Sequence, residues 1–418
     1  MAPSVETPAH AARPGPPGPL ADVRVLAVEQ MQALPYATQL LAFLGAEVVK
    51  VEHPRDGDSG RGAKPSLVDV DGRDVGATYL RNNLNKRSIA VDLKHPEGAA
   101  LVRRLAGRFD VFAENMKPGT ALRLGLGWES LSALHPRLVY VSVSGFGNLG
   151  ATPWAGRPAY SSVVEAMAGL YELMREPGDP TRVGSAGALG DLGASLFAVI
   201  GALAALHERA RTGRGRRVDV AMYDAVVALL DLVPFFWSMG IPRLRRGAVT
   251  GVFDVFACRD GRFVAQAVRE HQLRRFAEVV GHPEWKDDPR LASREGWTLH
   301  LEALVRPGVE AWAHERGIAE VVAALAGAGI PCGPSQTPDE LVRDPHLREH
   351  EMLLEVARPD GGAPLLVAGN PVKLDGGGPT PRQRWPVLGA HTDAVLGAEL
   401  GLERTELARL RADGAIGG

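Results

Sequence analysis

Asp191 is the residue in this chain whose setting most suggests chemistry. It closes a run of small residues, Gly184-Ser185-Ala186-Gly187-Ala188-Leu189-Gly190, and Leu192 and Gly193 follow it. From Ala194 to Leu206 the sequence is apolar, with the composition and period of a buried helix. An acid between a glycine loop and a helix start has two readings. It is a helix N-cap, whose side chain accepts free backbone N–H groups of the first turn. Or it is a nucleophile that glycines leave accessible to a substrate.

Basic residues form the second set. Lys86 with Arg87, Lys117 with Arg123, and the segment Arg209 to Arg217 fall after or between strand-like runs. Arginine suits bidentate contact with phosphate, and open α/β sheets bind ligands at the carboxyl ends of their strands. These groups are either phosphate ligands or solvated surface charges. Arg157, Arg243, Arg245 and Arg246 stand in the same way between a contact for a second carboxylate of a substrate and plain surface.

Other chemistries lack their patterns. The sequence has no GxSxG elbow, no GxxxxGK[ST] loop, and no GxGxxG after its first strand. None of the twelve histidines makes an HExxH, and the two cysteines, Cys258 and Cys332, make no CxxC, so no metal site is expected. Both cysteines read as small buried apolar residues. His391 reads as a structural, hydrogen-bonding histidine.

The elements that must position these groups follow from the hydrophobic pattern. Val23 to Val28 reads as a buried strand, Gln30 to Pro35 as a turn, Tyr36 to Leu44 as a helix, and Glu47 to Glu52 as the next strand. That order implies a parallel pair with a right-handed crossover. Further strands are expected at Ile89 to Leu93, Asp110 to Glu114, Leu138 to Val143 and Val218 to Met222, with a helix from Pro96 to Arg108. Strands alternating with helices argue for a doubly wound α/β domain. After Pro242 the pattern becomes short alternating strands around Arg259-Asp260-Gly261, then helices up to Gly329, which reads as a smaller α+β domain.

Composition bounds the partners. The formal net charge of −2 gives no global attraction for nucleic acid or acidic membrane. The most apolar stretch, Leu192 to Leu206, is shorter than the roughly 18 residues of a membrane span. A soluble, cytoplasmic protein is the expectation. The first residues, rich in Pro and Ala, read as a disordered leader and not as a signal peptide.

Several stretches, taken in order, resemble the family III CoA-transferases, the superfamily that includes formyl-CoA transferase, carnitine CoA-transferase and the 2-methylacyl-CoA racemases. They are Leu44-Gly45-Ala46-Glu47-Val48-Val49-Lys50-Val51-Glu52, Asn85-Lys86-Arg87-Ser88-Ile89 with Asp92-Leu93-Lys94, Glu114-Asn115-Met116-Lys117-Pro118-Gly119 and Ser142-Val143-Ser144-Gly145-Phe146-Gly147. Gly190-Asp191, Thr212-Gly213-Arg214-Gly215, Val218-Asp219-Val220-Ala221-Met222, Gly329-Ile330-Pro331-Cys332-Gly333-Pro334 and Leu388-Gly389-Ala390-His391-Thr392 complete the set. The resemblance spans nearly everything from Val23 to Leu402.

The resemblance implies an enzyme moving CoA from an acyl-CoA donor to a carboxylic acid acceptor. Asp191 matches the catalytic aspartate, which passes through an aspartyl anhydride and an aspartyl-CoA thioester. Met31, Gln32 and Ala33 match the loop after the first strand that contacts CoA. Leu84, Asn85, Lys86 and Arg87 match the segment gripping the nucleotide end. Asn115, Met116, Lys117 and Arg123 match the next contact group, and Val143, Ser144, Gly145, Phe146 and Met222 the last. His53 stands where formyl-CoA transferases have an arginine near the CoA phosphates, and Ser144 where they have a lysine. Their glycine-run loop over the aspartate is missing between Pro234 and Phe256. The racemase branch, the alternative function, pairs the aspartate with a histidine in the region of Gly156 to Tyr160, which holds none. CoA is then a substrate, with no tightly bound cofactor and no metal.

The fold implied is a large Rossmann-like domain completed by the C-terminal tail, with the smaller domain inserted, in an interlocked homodimer. The expected division is 1–22 leader, 23–240 first part of the large CoA-binding domain, 241–335 small α+β domain, and 336–418 linker and return. The apolar helices Leu192 to Leu206 and Ala225 to Trp237 suit a wide buried interface.

Overall fold

The structure is a computed structural model, and it describes residues 18–173, 175, 178–184, 187–230, 233–240, 250–375 and 384–418. The chain forms two compact units. One takes the chain up to Asp231 and again from Glu349 to Gly418; the other is Leu232–Arg348. Arg243, Arg245 and Arg246 lie outside the described residues, as do Ser185, Ala186 and most of the expected leader.

The larger unit is built on six parallel strands: β1 (Arg24–Val28), β2 (Glu47–Glu52), β3 (Lys86–Ala90), β4 (Val111–Glu114), β5 (Val139–Ser144) and β6 (Arg217–Ala221). Their order across the sheet is β3-β2-β1-β4-β5-β6. β4 and β5 are buried at every position and β1 at all but its first, as expected of parallel strands covered on both faces. Chain order reverses at β1. The loops after β1 and β4 therefore diverge there and leave a crevice at the carboxyl edge.

Helices cover both faces. On one lie α1 (Ala33–Phe43), the short α4 (Ser161–Met167) and α5 (Leu170–Leu173), the long α6 (Leu189–Thr212) and α7 (Met222–Leu229). The short α2 (Ala77–Asn82) leads into β3, and α3 (Pro96–Ala106) packs on the other face. There it meets two helices of the C-terminal return, Thr392–Leu400 and Arg404–Ala412, through Val395, Leu396, Leu407 and Leu410. The tail thus completes the core of this unit.

Several boundaries move from the sequence reading, each for a physical reason. α1 starts at Ala33, because Pro35 is tolerated in a first turn where no N–H is needed. β3 starts at Lys86 and ends at Ala90, since its polar residues Lys86 and Ser88 are buried and paired. Order begins before Val23: Leu20 donates its N–H to the Leu44 carbonyl at 3.0 Å and packs on the core. α6 has 24 residues, longer than the stretch read as too short for a membrane span. It is long and apolar enough to cross one by length and composition alone, its most apolar window having mean hydropathy 1.9. Its Ala194, Ala198, Ala202 and Ala205 are core residues of the sheet-facing layer.

The smaller unit has a three-stranded antiparallel sheet, Val252–Cys258, Gly261–Ala267 and Cys332–Pro334, with the second strand in the centre. Its core is aromatic: Phe256, Phe263, Phe276, Trp285 and Trp297. Cys258 and Cys332 are both partly exposed, where the sequence suggested burial.

Candidate active site

Asp191 sits in the first turn of α6, three positions past the N-cap, which is Ala188. The N-cap reading of Asp191 is therefore wrong. Its side chain makes no hydrogen bond or ion pair among the described residues. Only its backbone is engaged, donating N–H to Ser161 Oγ at 3.2 Å and accepting at its carbonyl from Ser195 Oγ at 2.7 Å. Burial pushes the Asp191 carboxyl up, the negative charge of Glu165 adds to that, and Arg81 offsets part of it; the result is about 6. The helix dipole does not hold this acid at an ordinary value. The carboxylate is ionised at neutral pH yet more basic, hence more nucleophilic, than a solvated aspartate.

The start of α6 is held from α4. Glu165 is only 3% exposed. It accepts from Ser161 Oγ at 2.5 Å, from the Tyr171 hydroxyl at 2.5 Å and from the Gly190 N–H at 3.0 Å. Glycine at 190 is required for this closeness: a Cβ there would lie 2.8 Å from both Ser161 Oγ and Val164 Cγ2. Burial raises the Glu165 carboxyl, and these hydrogen bonds more than reverse it, so it stays ionised.

A cavity of about 530 Å³ opens at the carboxyl edge of β1, β2 and β4. Its cations are Lys94, Lys117 and Arg123; His53, Asn115, Met116 and Thr120 also line it. Gln30 and Asn115 bridge the crevice reciprocally, Gln30 N–H to Asn115 Oδ1 at 2.9 Å and Asn115 Nδ2 to the Gln30 carbonyl at 3.0 Å. Glu29, Glu52 and Asp58 reach the same cavity but are engaged elsewhere. Lys50 pairs with Asp58 at 2.6 Å, Lys86 with Glu29 at 2.7 Å, and Arg61 grips both oxygens of Glu52 at 2.8 Å. Burial raises Glu52, but Arg61, Lys50 and Ser88 bring it down to about 2. Asp92 also lines the cavity, accepting the Lys94 N–H at 2.8 Å. With Glu29, Glu52 and Asp58 paired to buried cations, Lys94, Lys117 and Arg123 still outnumber it and leave a net positive wall for an anionic ligand.

The loop from Gln30 to Ala33 joins the cavity to the start of α6. Gln30 lines the cavity, and the Ala33 carbonyl accepts from Ser195 Oγ at 2.5 Å, one turn beyond Asp191. Met31 takes φ +64° in this loop, held by its N–H to Asp58 Oδ1 at 2.9 Å. Gln32 is the α1 N-cap.

Of the residues read from sequence, His53, Asn115, Met116, Lys117 and Arg123 are brought together around the cavity. Met31 to Ala33 lie between it and Asp191. Val143 and Ser144 end β5 and Gly145 and Phe146 follow it; Val143 is core, and the Phe146 ring meets the edge of Tyr223 at 6.1 Å. Met222, after β6, is also buried in the core. Ser144 Oγ accepts the Gly147 N–H at 3.0 Å.

Three of the residues read as gripping the nucleotide end do something else in this structure. Leu84 is fully buried and donates its N–H to Gln39 Oε1 at 2.8 Å. Lys86 is buried, with Nζ on Glu29, on the Pro35 carbonyl at 2.8 Å and on Asn83 Oδ1 at 3.1 Å. Arg87 reaches Glu47 at 2.8 Å, beside the amino end of the sheet. Asn85 has φ +62°. The sequence shows a basic run here but not that one lysine points inward.

The model of CoA-transferase family III matches residues 20–392. The chain belongs to this family. It is 36% identical over 414 residues to succinyl-CoA–D-citramalate CoA-transferase of Chloroflexus aurantiacus, covering 96% of this chain and 99% of that one. It is 34% identical to formyl-CoA:oxalate CoA-transferase of Streptomyces avermitilis, covering 95% of this chain and 99% of that one. Among solved structures, a CAIB/BAIF family protein from Brucella suis superposes with TM-score 0.79 at 29% identity, covering 92% of this chain and all of that one.

As a family III acyl-CoA:carboxylate CoA-transferase, the chain uses a CoA thioester as substrate. Lys94 and Thr120 belong with the cationic wall of the cavity but escaped the site reading. Lys94 carried a signal, since it ends the motif Asp92-Leu93-Lys94. Glu165 carried none: a lone glutamate on an amphipathic helix reads as solvated.

Proposed function

We propose that Asp191 is the nucleophile of a CoA transfer between two carboxylic acids. A carboxylate oxygen of Asp191 attacks the donor thioester carbon, the C–S bond breaks, and CoA leaves as thiolate, giving a mixed anhydride. The thiolate then attacks the Asp191 carbonyl carbon. The anhydride C–O bond breaks, the donor acid departs, and an aspartyl-CoA thioester remains. The acceptor carboxylate attacks that thioester, expels the thiolate, and the thiolate takes the acceptor acyl group from the second anhydride. Asp191 is regenerated and no proton is consumed. The observation that carries this reading is a raised, unpartnered carboxylate at a helix start, reached by a loop from a cationic cavity.

His53, Lys94, Lys117 and Arg123 hold the phosphates of CoA in this reading, and the loop Gln30 to Ala33 lies along the pantetheine arm. Succinyl-CoA is the proposed donor, by analogy with the donors named for the relatives from Chloroflexus and Haloarcula. A racemase would need a second acid–base group facing Asp191. The acid whose charge reaches it, Glu165, is buried, ionised and fully hydrogen-bonded.

A cytoplasmic homodimer is part of the proposal, with the small unit inserted in the large one and the two subunits interlocked. Leu196 and Ile200 support a partner surface: they are 48% and 60% exposed on the helix that otherwise forms the core. The test is exchange between succinyl-CoA and a panel of acids, with Asp191→Asn beside the wild type. Exchange by the wild type alone is expected; exchange by the variant refutes the nucleophile.

A further inference from the structure

The α6 start is held by a carboxylate that the transfer reaction itself does not use. Glu165 collects three donors from three elements: Ser161 from its own α4, Tyr171 from α5, and the Gly190 N–H from the first turn of α6. Ser161 gives its hydroxyl hydrogen to Glu165, so its lone pair is free for the Asp191 N–H at 3.2 Å. Both backbone N–H groups at 190 and 191 are thereby fixed by one carboxylate, directly and through one hydroxyl. Free N–H groups at a helix start are usually met by the N-cap side chain, and here the N-cap is Ala188, which has none to offer.

We propose that Glu165 is a positioning residue of the transferase: it locks the first turn of α6 and faces Asp191 with a permanent negative charge, so that the attacking carboxylate is both placed and kept unpaired. The proposal rests on Asp191 being the nucleophile. Two consequences follow. The carboxylate is held where the thioester must arrive, which favours attack by orientation. It is also made more basic by a charge behind it, which strengthens it as a nucleophile and sets the pH at which it is lost to protonation.

On the elements packed against α6 the other titratable groups leave Glu165 as the anion that acts on Asp191. Arg81, at the end of α2, opposes it. α1 brings Tyr36, over whose ring Arg81 sits at 5.4 Å. α7 brings Tyr223, packed on Phe146, and the exposed Asp224. From the sheet, Asp219 on β6 is taken up by the N–H groups of Asn148 and Leu149 at 2.6 and 2.8 Å.

The test compares Glu165→Gln and Glu165→Ala with the wild type in exchange kinetics from pH 4.5 to 8.5. Glutamine keeps the shape: its carbonyl accepts from Ser161 and Gly190, and its amide donates to the Tyr171 oxygen. It removes only the charge. The expected result for Glu165→Gln is kcat at pH 8 within about threefold of wild type, with the acid limb moved down by about one pH unit. Glu165→Ala should lose about tenfold or more in kcat, with KM for the acyl-CoA within about threefold, because the CoA-holding cavity is untouched. An acid limb that stays in place in Glu165→Gln overturns the proposal, and does so even if Glu165→Ala fails to fold. Asp191→Asn is run alongside. Turnover by that variant removes the nucleophile reading itself, whereas an inactive Asp191→Asn beside an unshifted Glu165→Gln removes the Glu165 proposal alone.

Discussion

Replacing Asp191 by Asn should stabilise the protein at neutral pH, because the fold holds this carboxylate ionised in a place that disfavours its charge. The folded carboxyl titrates at about 6 against an ordinary value of 3.8. Each tenfold change in proton affinity is worth about 1.4 kcal/mol, so the difference sets an upper bound of roughly 3 kcal/mol. Asp191 is partly exposed, and solvent screening brings the expected gain to roughly 1–2 kcal/mol. The sign follows from proton counts. Between about pH 4 and 6 the folded state binds more protons at this site than the unfolded state, so the wild type loses stability as pH rises through that window. Above it the loss is complete and constant. The neutral asparagine has no such dependence. The stability difference between variant and wild type should therefore be near zero at pH 4, climb up to pH 6, and level off above it. Urea unfolding of both proteins across this range measures it, since groups common to both cancel in the difference. A difference that is flat with pH, or a variant less stable than wild type at pH 7.5, refutes the argument that the site is electrostatically strained.

Three further outcomes follow from the same structure. The catalytic efficiency of the free enzyme should fall tenfold per pH unit below about 6, as Asp191 takes up its proton; a profile level down to pH 4.5 contradicts this. Lys86→Met should cost about 3–5 kcal/mol of stability in denaturant unfolding, because Glu29 is left buried with the Thr38 hydroxyl at 2.7 Å and, for charge, the more distant Lys50 at 3.5 Å, while CoA affinity measured by calorimetry on the folded variant stays unchanged. Lys117→Ala and Arg123→Ala should each raise KM for the acyl-CoA about tenfold with little change in kcat, and the effect should shrink as salt is raised; a loss confined to kcat is the contrary result.

The contrast between Lys86 and Lys117 shows what the sequence makes legible. Both stand in basic, polar-flanked motifs, and both read as ligands for phosphate. Lys117 follows β4 at the sheet's carboxyl edge, where a side chain reaches the cavity. Lys86 opens β3 and turns inward, because Glu29, one residue after β1, is brought next to it only by the strand order β3-β2-β1. That order is a non-local fact, and no run of residues states it. Local signals carry further. The glycine run, the acid and the apolar helix after it locate Asp191, and parallel strands are legible in unbroken apolar runs such as Val25 to Val28. A capping role for Asp191 fails because capping depends on where the first helical turn closes. That turn closes at Leu189, under the hold of Glu165.

In the proposed reaction Asp191 bonds covalently to its substrate. The direct measurement is mass spectrometry of the peptide containing Asp191 after incubation with succinyl-CoA and quenching with hydroxylamine or borohydride. Asp191 should be converted to its hydroxamate or to the corresponding alcohol, dependent on the acyl-CoA and absent in Asp191→Asn. An enzyme that turns over acyl-CoA while this peptide stays unmodified, or that carries the modification on another residue, contradicts it.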